Sequence, residues 1–98
     1  MQTPVIRKMQ HDDVEAIVAI ERLVQTHPWS AQQFYEAVDS YQSTVIEIQN
    51  KLAGFCILQP VLDEANLLLM AIDPRQQGRG LGFDLLDASI NLLSNQPM

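Results

Sequence analysis

One short segment of the chain concentrates residue types that bind anions. It runs Asp73-Pro74-Arg75-Gln76-Gln77-Gly78-Arg79-Gly80-Leu81-Gly82, between an apolar run and an apolar-faced helix. A strand that delivers the main chain into a glycine-rich turn at a helix start aims several backbone amides in one direction, and those amides with the helix dipole bind phosphate. Each charge-assisted contact contributes about 1.5 to 3 kcal/mol before ordering costs, so a few of them hold a pyrophosphate even on an acidic protein. Arg75 and Arg79 reverse the charge locally. The spacing then separates the phosphate motifs. A dinucleotide fingerprint, G-x-G-x-x-G, needs a third glycine where Phe83 stands, and a P-loop needs a Gly-Lys pair although no lysine follows Lys51. What remains is Q-x-x-G-x-G, read as Gln77, Gly80 and Gly82.

Other side chains with chemical potential read differently. Cys56, within Phe55-Cys56-Ile57-Leu58, is a small buried thiol rather than a nucleophile. His11 and His27 sit in loops without metal-ligand spacing, so surface or capping roles fit them and no metal site is expected. Trp29 stands open between an aromatic platform for a substrate and an anchor of the first helix on the second. Asp63 and Glu64 either solvate a turn or face a substrate, and Arg79 either contacts phosphate or is a solvated loop residue.

The elements that must position these residues follow from periodicity. Val5 to Met9 reads as a strand, followed by a polar turn at Gln10 to Asp13. Val14, Ile17, Val18, Ile20 and Val24 form the apolar stripe of a helix that Asp12 or Asp13 can start. Pro28 breaks that pattern. Ser30 and Gln33 have capping-box spacing for a second helix, whose buried face is Phe34, Ala37, Val38 and Tyr41. Thr44 to Gln49 reads as a half-buried strand with Ile46 and Ile48 on one face, and Asn50-Lys51 as a hairpin turn. Leu52 to Leu62 is a long strand in which Gly54 marks a bulge and Pro60 an edge or bend. After a turn at Asp63-Glu64, Ala65 to Ile72 is apolar enough to be covered on both faces. A third helix buries Leu81, Leu85, Ala88 and Leu92, widened by Leu86, Ile90 and Leu93. The order is β-α-α-β-β-β-α, an α/β (α+β) arrangement with helices flanking a sheet.

The chain has 98 residues, 47% of them apolar, which is enough for one core and excludes two domains. Twelve acidic against six basic side chains give a net charge of -6. Such a field repels nucleic acid and suits a basic protein tail or an amine-bearing substrate. The longest unbroken apolar run, Leu67 to Ile72, is too short to span a bilayer, which needs about twenty residues in a helix. A lone cysteine and the absence of a signal-peptide pattern point to a cytoplasmic, reducing setting without membrane partners.

The Gln77, Gly80 and Gly82 pattern after a strand and Asp73-Pro74 resembles motif A of the GNAT acetyltransferases. Ala19-Ile20-Glu21, His27-Pro28-Trp29-Ser30 with Phe34, and Val61-Leu62-Asp63-Glu64-Ala65 are similar to segments of that family's ribosomal-protein-alanine N-acetyltransferases. Together these stretches span nearly the whole chain. The resemblance implies a GNAT fold with a mixed, mostly antiparallel sheet, and acetyl-CoA as cosubstrate. It implies transfer to the N-terminal amine of a protein, an N-terminal Ala of a ribosomal protein. Carried over by position, Met70, Ala71 and Ile72 would bond the pantetheine arm along the strand edge. Gln77, Gly78, Arg79, Gly80, Leu81, Gly82 and Phe83 would hold the pyrophosphate, mostly through main-chain amides, with Phe83 replacing the usual polar or basic residue. Trp29, Asp63 and Glu64 would face the peptide.

The family's catalytic Glu, its proton-donating Tyr and an Asn that contacts CoA lie past the motif A helix and have no counterpart here. Residues 1–98 are therefore expected to be a single, incomplete N-acetyltransferase domain without its C-terminal strands. The strand before motif A then becomes an edge open to self-association. The rival reading is a non-catalytic acyl-CoA-binding or interaction module. A small-molecule amine as acceptor fits Pro-Trp-Ser and Leu-Asp-Glu-Ala less well.

Overall fold

The computed structural model describes residues 3–94. The expected order is present: β1 (Val5–Lys8), α1 (Val14–Val24), α2 (Ala31–Ser40), β2 (Gln42–Ile48), β3 (Lys51–Val61), β4 (Glu64–Ile72) and α3 (Leu81–Ser94), with short 3-10 turns at His11–Asp13 and Pro74–Gln76. The tail at Gln96-Pro97-Met98 lies outside the described residues. Among those residues the sheet is antiparallel throughout, in the order β1-β2-β3-β4, so β4 is an outer strand.

Two apolar clusters sandwich the sheet. On one face Val14, Ile17 and Ile20 of α1 and Phe34 and Ala37 of α2 cover Val45, Phe55, Ile57 and Ala71. On the other, Leu81 and Leu85 of α3 cover Ile46, Ile48, Cys56 and Leu58. Strand alternation explains this division, since neighbouring residues of β2 and β3 point to opposite layers. β2 is therefore covered on both faces, not half-buried. β4 shows the reverse correction. Only Ala71 is buried on it, and residues 64–67 are exposed, because no strand lies beyond it among the described residues.

Local chemistry sets the element ends. Ser30 Oγ accepts from the Gln33 N–H at 3.3 Å, and Gln33 Oε1 accepts from the Ser30 N–H at 2.8 Å, completing the capping box that starts α2. Asp13 does not cap α1. Its carboxylate accepts from the Gln10 N–H at 2.7 Å and pairs with Arg7 at 2.8 Å, while Arg7 also reaches Glu47 at 2.6 Å, tying β1 to the turn and to β2.

Both hairpin turns sit one residue earlier than expected. Gln49 and Asn50 have φ of 52° and 65°, the paired positive angles of a tight hairpin, so Lys51 already belongs to β3. The second turn is Leu62-Asp63, with Glu64 opening β4 opposite Val61. In α3 the buried stripe is Leu81, Leu85 and Ser89, whereas Ile90 and Leu92 are exposed. The Ser89 hydroxyl can be buried because it donates to the Leu85 carbonyl at 2.6 Å and meets Thr44 Oγ1 across the layer.

Candidate functional site

Two bulges shape the strands that lead to the glycine loop. In the first, Ala53 is the extra residue on β3, since Ile46 pairs with Gly54 and Glu47 with Leu52. Gly54 beside it faces Ile72, and a Cβ there would lie 2.5 Å from Ile72 Cδ1 and 2.7 Å from the Ala71 carbonyl oxygen. Only glycine lets β4 approach this closely. The Asp73 N–H then donates to the Ala53 carbonyl at 2.7 Å, fixing the exit of β4. In the second bulge Leu68 is unmatched, because Ile57 pairs with Leu69 and Leu58 with Leu67. Leu68 and Leu69 consequently both pack toward the α1 and α2 layer.

From that exit the chain turns on Asp73. Asp73 is 5% exposed, and its carboxylate accepts from the Arg75 N–H at 2.9 Å and from the Arg75 guanidinium at 2.7 and 3.1 Å. The Arg75 hydrogen bonds hold the Asp73 carboxyl below the usual carboxylate range, against the opposing effect of burial. Gln77 Nε2 donates back to the Ile72 carbonyl at 3.1 Å, closing the loop onto the end of β4. Gly78 and Gly80 follow with φ of 86° and 76°, angles other residues rarely adopt, and beyond the adjacent residues no protein atom lies within 4 Å of where a Cβ would be on either. The loop is thus both left-handed and open. It delivers its amides at the start of α3, whose first amides have no partner within the helix. These residues fit a phosphate-bearing cosubstrate.

The structure gathers Gln77, Gly78, Arg79, Gly80, Leu81, Gly82 and Phe83 at one end of β4, beside Met70, Ala71 and Ile72. Phe83 is 75% exposed and Leu81 is a core residue, so neither side chain of this pair is polar toward the loop. A cleft of about 310 Å³ between the loop and the β2-β3 turn is lined by Lys51, Asp73, Arg75, Gln76 and Arg79 among others. Three of the six basic side chains of the chain therefore converge here. Sequence reasoning missed Lys51. The signal for it is antiparallel pairing, which brings the start of β3 to the end of β4. A larger cleft of about 480 Å³ along α1 shares Lys51, Leu52, Asp73 and Arg75 but includes none of the residues from Gln77 to Phe83.

Asp63 and Glu64 lie at the opposite end of β4, roughly 25 Å along the strand from the glycine loop. Both are exposed, next to Leu62, which is 100% exposed with φ of 57°. Trp29 lies on a different segment, the α1-α2 loop, and packs at 5.4 Å from the Phe34 ring, which itself meets Phe55 edge-on at 5.3 Å. No hydrogen bond joins Trp29 to Asp63 or Glu64. Cys56 is fully buried and burial pushes its thiol up, which suits a packing role. His11 pairs with Asp39 at 2.9 Å on the surface.

Comparison with known proteins follows the same outline. The model of the Acetyltransferase (GNAT) family matches residues 8–96. The chain is 36% identical over 85 residues to the [ribosomal protein bS18]-alanine N-acetyltransferase of Salmonella typhimurium, covering 86% of this chain and 57% of that protein. The crystal structure of the ribosomal-protein-alanine N-acetyltransferase from Escherichia coli superposes with a TM-score of 0.84 at 35% identity, over 93% of this chain and 59% of that one. The fold also matches the PaiA N-acetyltransferase of Thermoplasma acidophilum, solved with coenzyme A, with a TM-score of 0.83 at 16% identity over 94% of this chain and 72% of that one. The chain thus spans a little under two thirds of the length of the ribosomal-protein relatives. The family match runs from the end of β1 through the whole of α3 and includes the open glycine loop, and on that ground this protein belongs to the GNAT family of acetyltransferases.

Proposed function

We propose that this chain carries the acetyl-CoA-binding half of an N-alpha-acetyltransferase whose acceptor is the N-terminal Ala of a ribosomal protein. The observation that supports it most is the pair of left-handed glycines, Gly78 and Gly80, opening α3 beside an edge of β4 that no strand covers among the described residues. Acetyl-CoA supplies the acyl group as a thioester, which the uncharged amine of the acceptor attacks while the thiol departs. The residues of this chain bind and orient. Amides of the glycine loop take the pyrophosphate, with Arg79 and Lys51 neutralising charge around it while Arg75 is held by Asp73. Main-chain groups of Met70, Ala71 and Ile72 take the pantetheine arm as an added strand would be taken, and the Leu68 bulge interrupts the regular edge farther along.

The acceptor side uses Trp29, Asp63 and Glu64. Ribosomal proteins are generally basic, and a net charge of -6 with two exposed carboxylates at the tip of the β3-β4 hairpin attracts a basic N-terminal segment. The cytosol is the setting this reading assigns. The test is acetyl transfer to a basic peptide beginning with Ala, followed by mass spectrometry, with the same peptide N-terminally blocked as control. Transfer to the free amine alone supports the reading. Tight acetyl-CoA binding without any transfer supports the acyl-CoA-binding module instead.

A further inference from the structure

The buried stripe of α1 contains one charged residue. Val14, Ile17 and Ile20 are apolar, as the helix period requires, but Glu21 at the next position is also 0% exposed. Its Oε2 accepts from the Trp29 N–H at 2.9 Å, across the loop that joins α1 to α2. Its Oε1 is buried with no hydrogen-bond partner. Such a group is a poor choice for stability alone. A buried charge is desolvated, an unpaired oxygen adds to that cost, and an apolar side chain of similar volume packs as well or better.

An apolar side chain could not hold the Trp29 main chain, however. The loop has few other restraints at this point, since Pro28 contributes no amide hydrogen and Thr26, His27 and Pro28 are exposed. The next residues are fixed by the Ser30 and Gln33 cap. Among the described residues, Glu21 therefore supplies the side-chain hydrogen bond that anchors the main chain between the end of α1 and that cap, at the residue whose half-buried ring packs on Phe34.

We propose that Glu21 is a positioning residue for the acceptor side. Its carboxylate sets where Trp29 stands, and so how the α1-α2 loop receives the N-terminal segment of a peptide, without touching the peptide itself. The inference rests on the acetyltransferase reading above.

Trp29 is the only tryptophan beside two tyrosines, so fluorescence under tryptophan-selective excitation reports this loop alone. Glu21→Met fills the buried volume and removes the acceptor, whereas Glu21→Gln keeps a carbonyl oxygen for the Trp29 N–H. In Glu21→Met, acrylamide quenching of Trp29 should rise, and affinity for an Ala-starting basic peptide, read by Trp29 emission, should fall about tenfold. Calorimetric affinity for acetyl-CoA should stay within about twofold, because the glycine loop is untouched. Glu21→Gln should restore both Trp29 readouts. A cooperatively melting Glu21→Met with wild-type quenching and peptide affinity overturns the proposal, and so does a Glu21→Gln variant as impaired as Glu21→Met. Failure of the wild-type chain to bind either acetyl-CoA or peptide sinks the acetyltransferase reading instead, so the two failures are distinguishable.

Discussion

The side chain of Gln77 reaches back over the start of the glycine loop and donates to the carbonyl of Ile72 at 3.1 Å, so the last residue of β4 and the first residue of the phosphate motif are one hydrogen-bonded unit. The strand edge assigned to the pantetheine arm and the loop assigned to the pyrophosphate are thereby held in fixed relation.

The first prediction concerns the loop. Gly80 has φ of 76°, and a side chain added there would meet no atom outside its chain neighbours within 4 Å of its Cβ. Gly80→Asp strains the main chain and adds a negative charge where phosphate is expected. Acetyl-CoA affinity should fall about a hundredfold or more, with a smaller loss in Gly80→Ala. Calorimetry checks this, and unchanged binding by Gly80→Asp would remove the amides from the account.

A second prediction concerns the close approach of β3 and β4. Any Cβ at Gly54 meets the Ala71 carbonyl oxygen as well as Ile72 Cδ1, and main chain cannot swing aside as a side chain can. Gly54→Ala should destabilise the fold by about 1 to 3 kcal/mol in urea unfolding, with acetyl-CoA affinity reduced because the end of β4 must shift. A neutral result would mean that β4 is free to move away from β3.

A third prediction follows from the acid side of the pH profile. Arg75 holds the Asp73 carboxyl, and Arg7 the Asp13 carboxyl, below the ordinary range. A carboxylate whose folded pKa is depressed stabilises the fold above its unfolded pKa of about 3.9, and that contribution is lost as pH falls through the lower folded value. Melting temperature should be flat from neutral pH to about 5 and decline below about 4. Asp73→Asn should melt lower at neutral pH and converge with wild type in acid. Two curves that stay parallel throughout would contradict this assignment.

A fourth prediction tests the buried hydroxyl of α3. Ser89 donates to Leu85 and meets Thr44, whose hydroxyl also reaches the Cys56 carbonyl at 3.4 Å. Ser89→Ala should cost about 1 to 2 kcal/mol, while Ser89→Leu, which suits the apolar period, should cost more because the site is filled by β2. Thermal unfolding of the two variants decides the order.

Features whose chemistry is local were legible in the sequence. The glycine loop, the Ser30 and Gln33 cap and the buried Cys56 each depend on a few adjacent residues. The bulge expected near Gly54 falls next to it, at Ala53. Features set by partners distant in the chain were not legible. Glu21 and Ser89 occupy core positions that periodicity assigns to apolar side chains, and the partners they meet there include Trp29 on the next loop and Thr44 across the layer, which no local pattern announces. Leu68 carries no mark of its bulge within a uniformly apolar run. The turn at Gln49-Asn50 takes positive φ without glycine, which moved the expected hairpin by one residue. The acceptor candidates Trp29, Asp63 and Glu64 came from resemblance alone, and the structure sets them on two separate segments, the α1-α2 loop and the tip of the β3-β4 hairpin.

The central claim is that the glycine loop and the edge of β4 bind acetyl-CoA in this 98-residue chain. Calorimetric titration of the purified protein with acetyl-CoA tests it most directly, with adenosine diphosphate, which carries a pyrophosphate but no pantetheine arm, as the comparison. The account predicts saturable one-to-one binding, tighter for acetyl-CoA than for the nucleotide because the strand edge adds contacts. No heat above dilution for either ligand would contradict it.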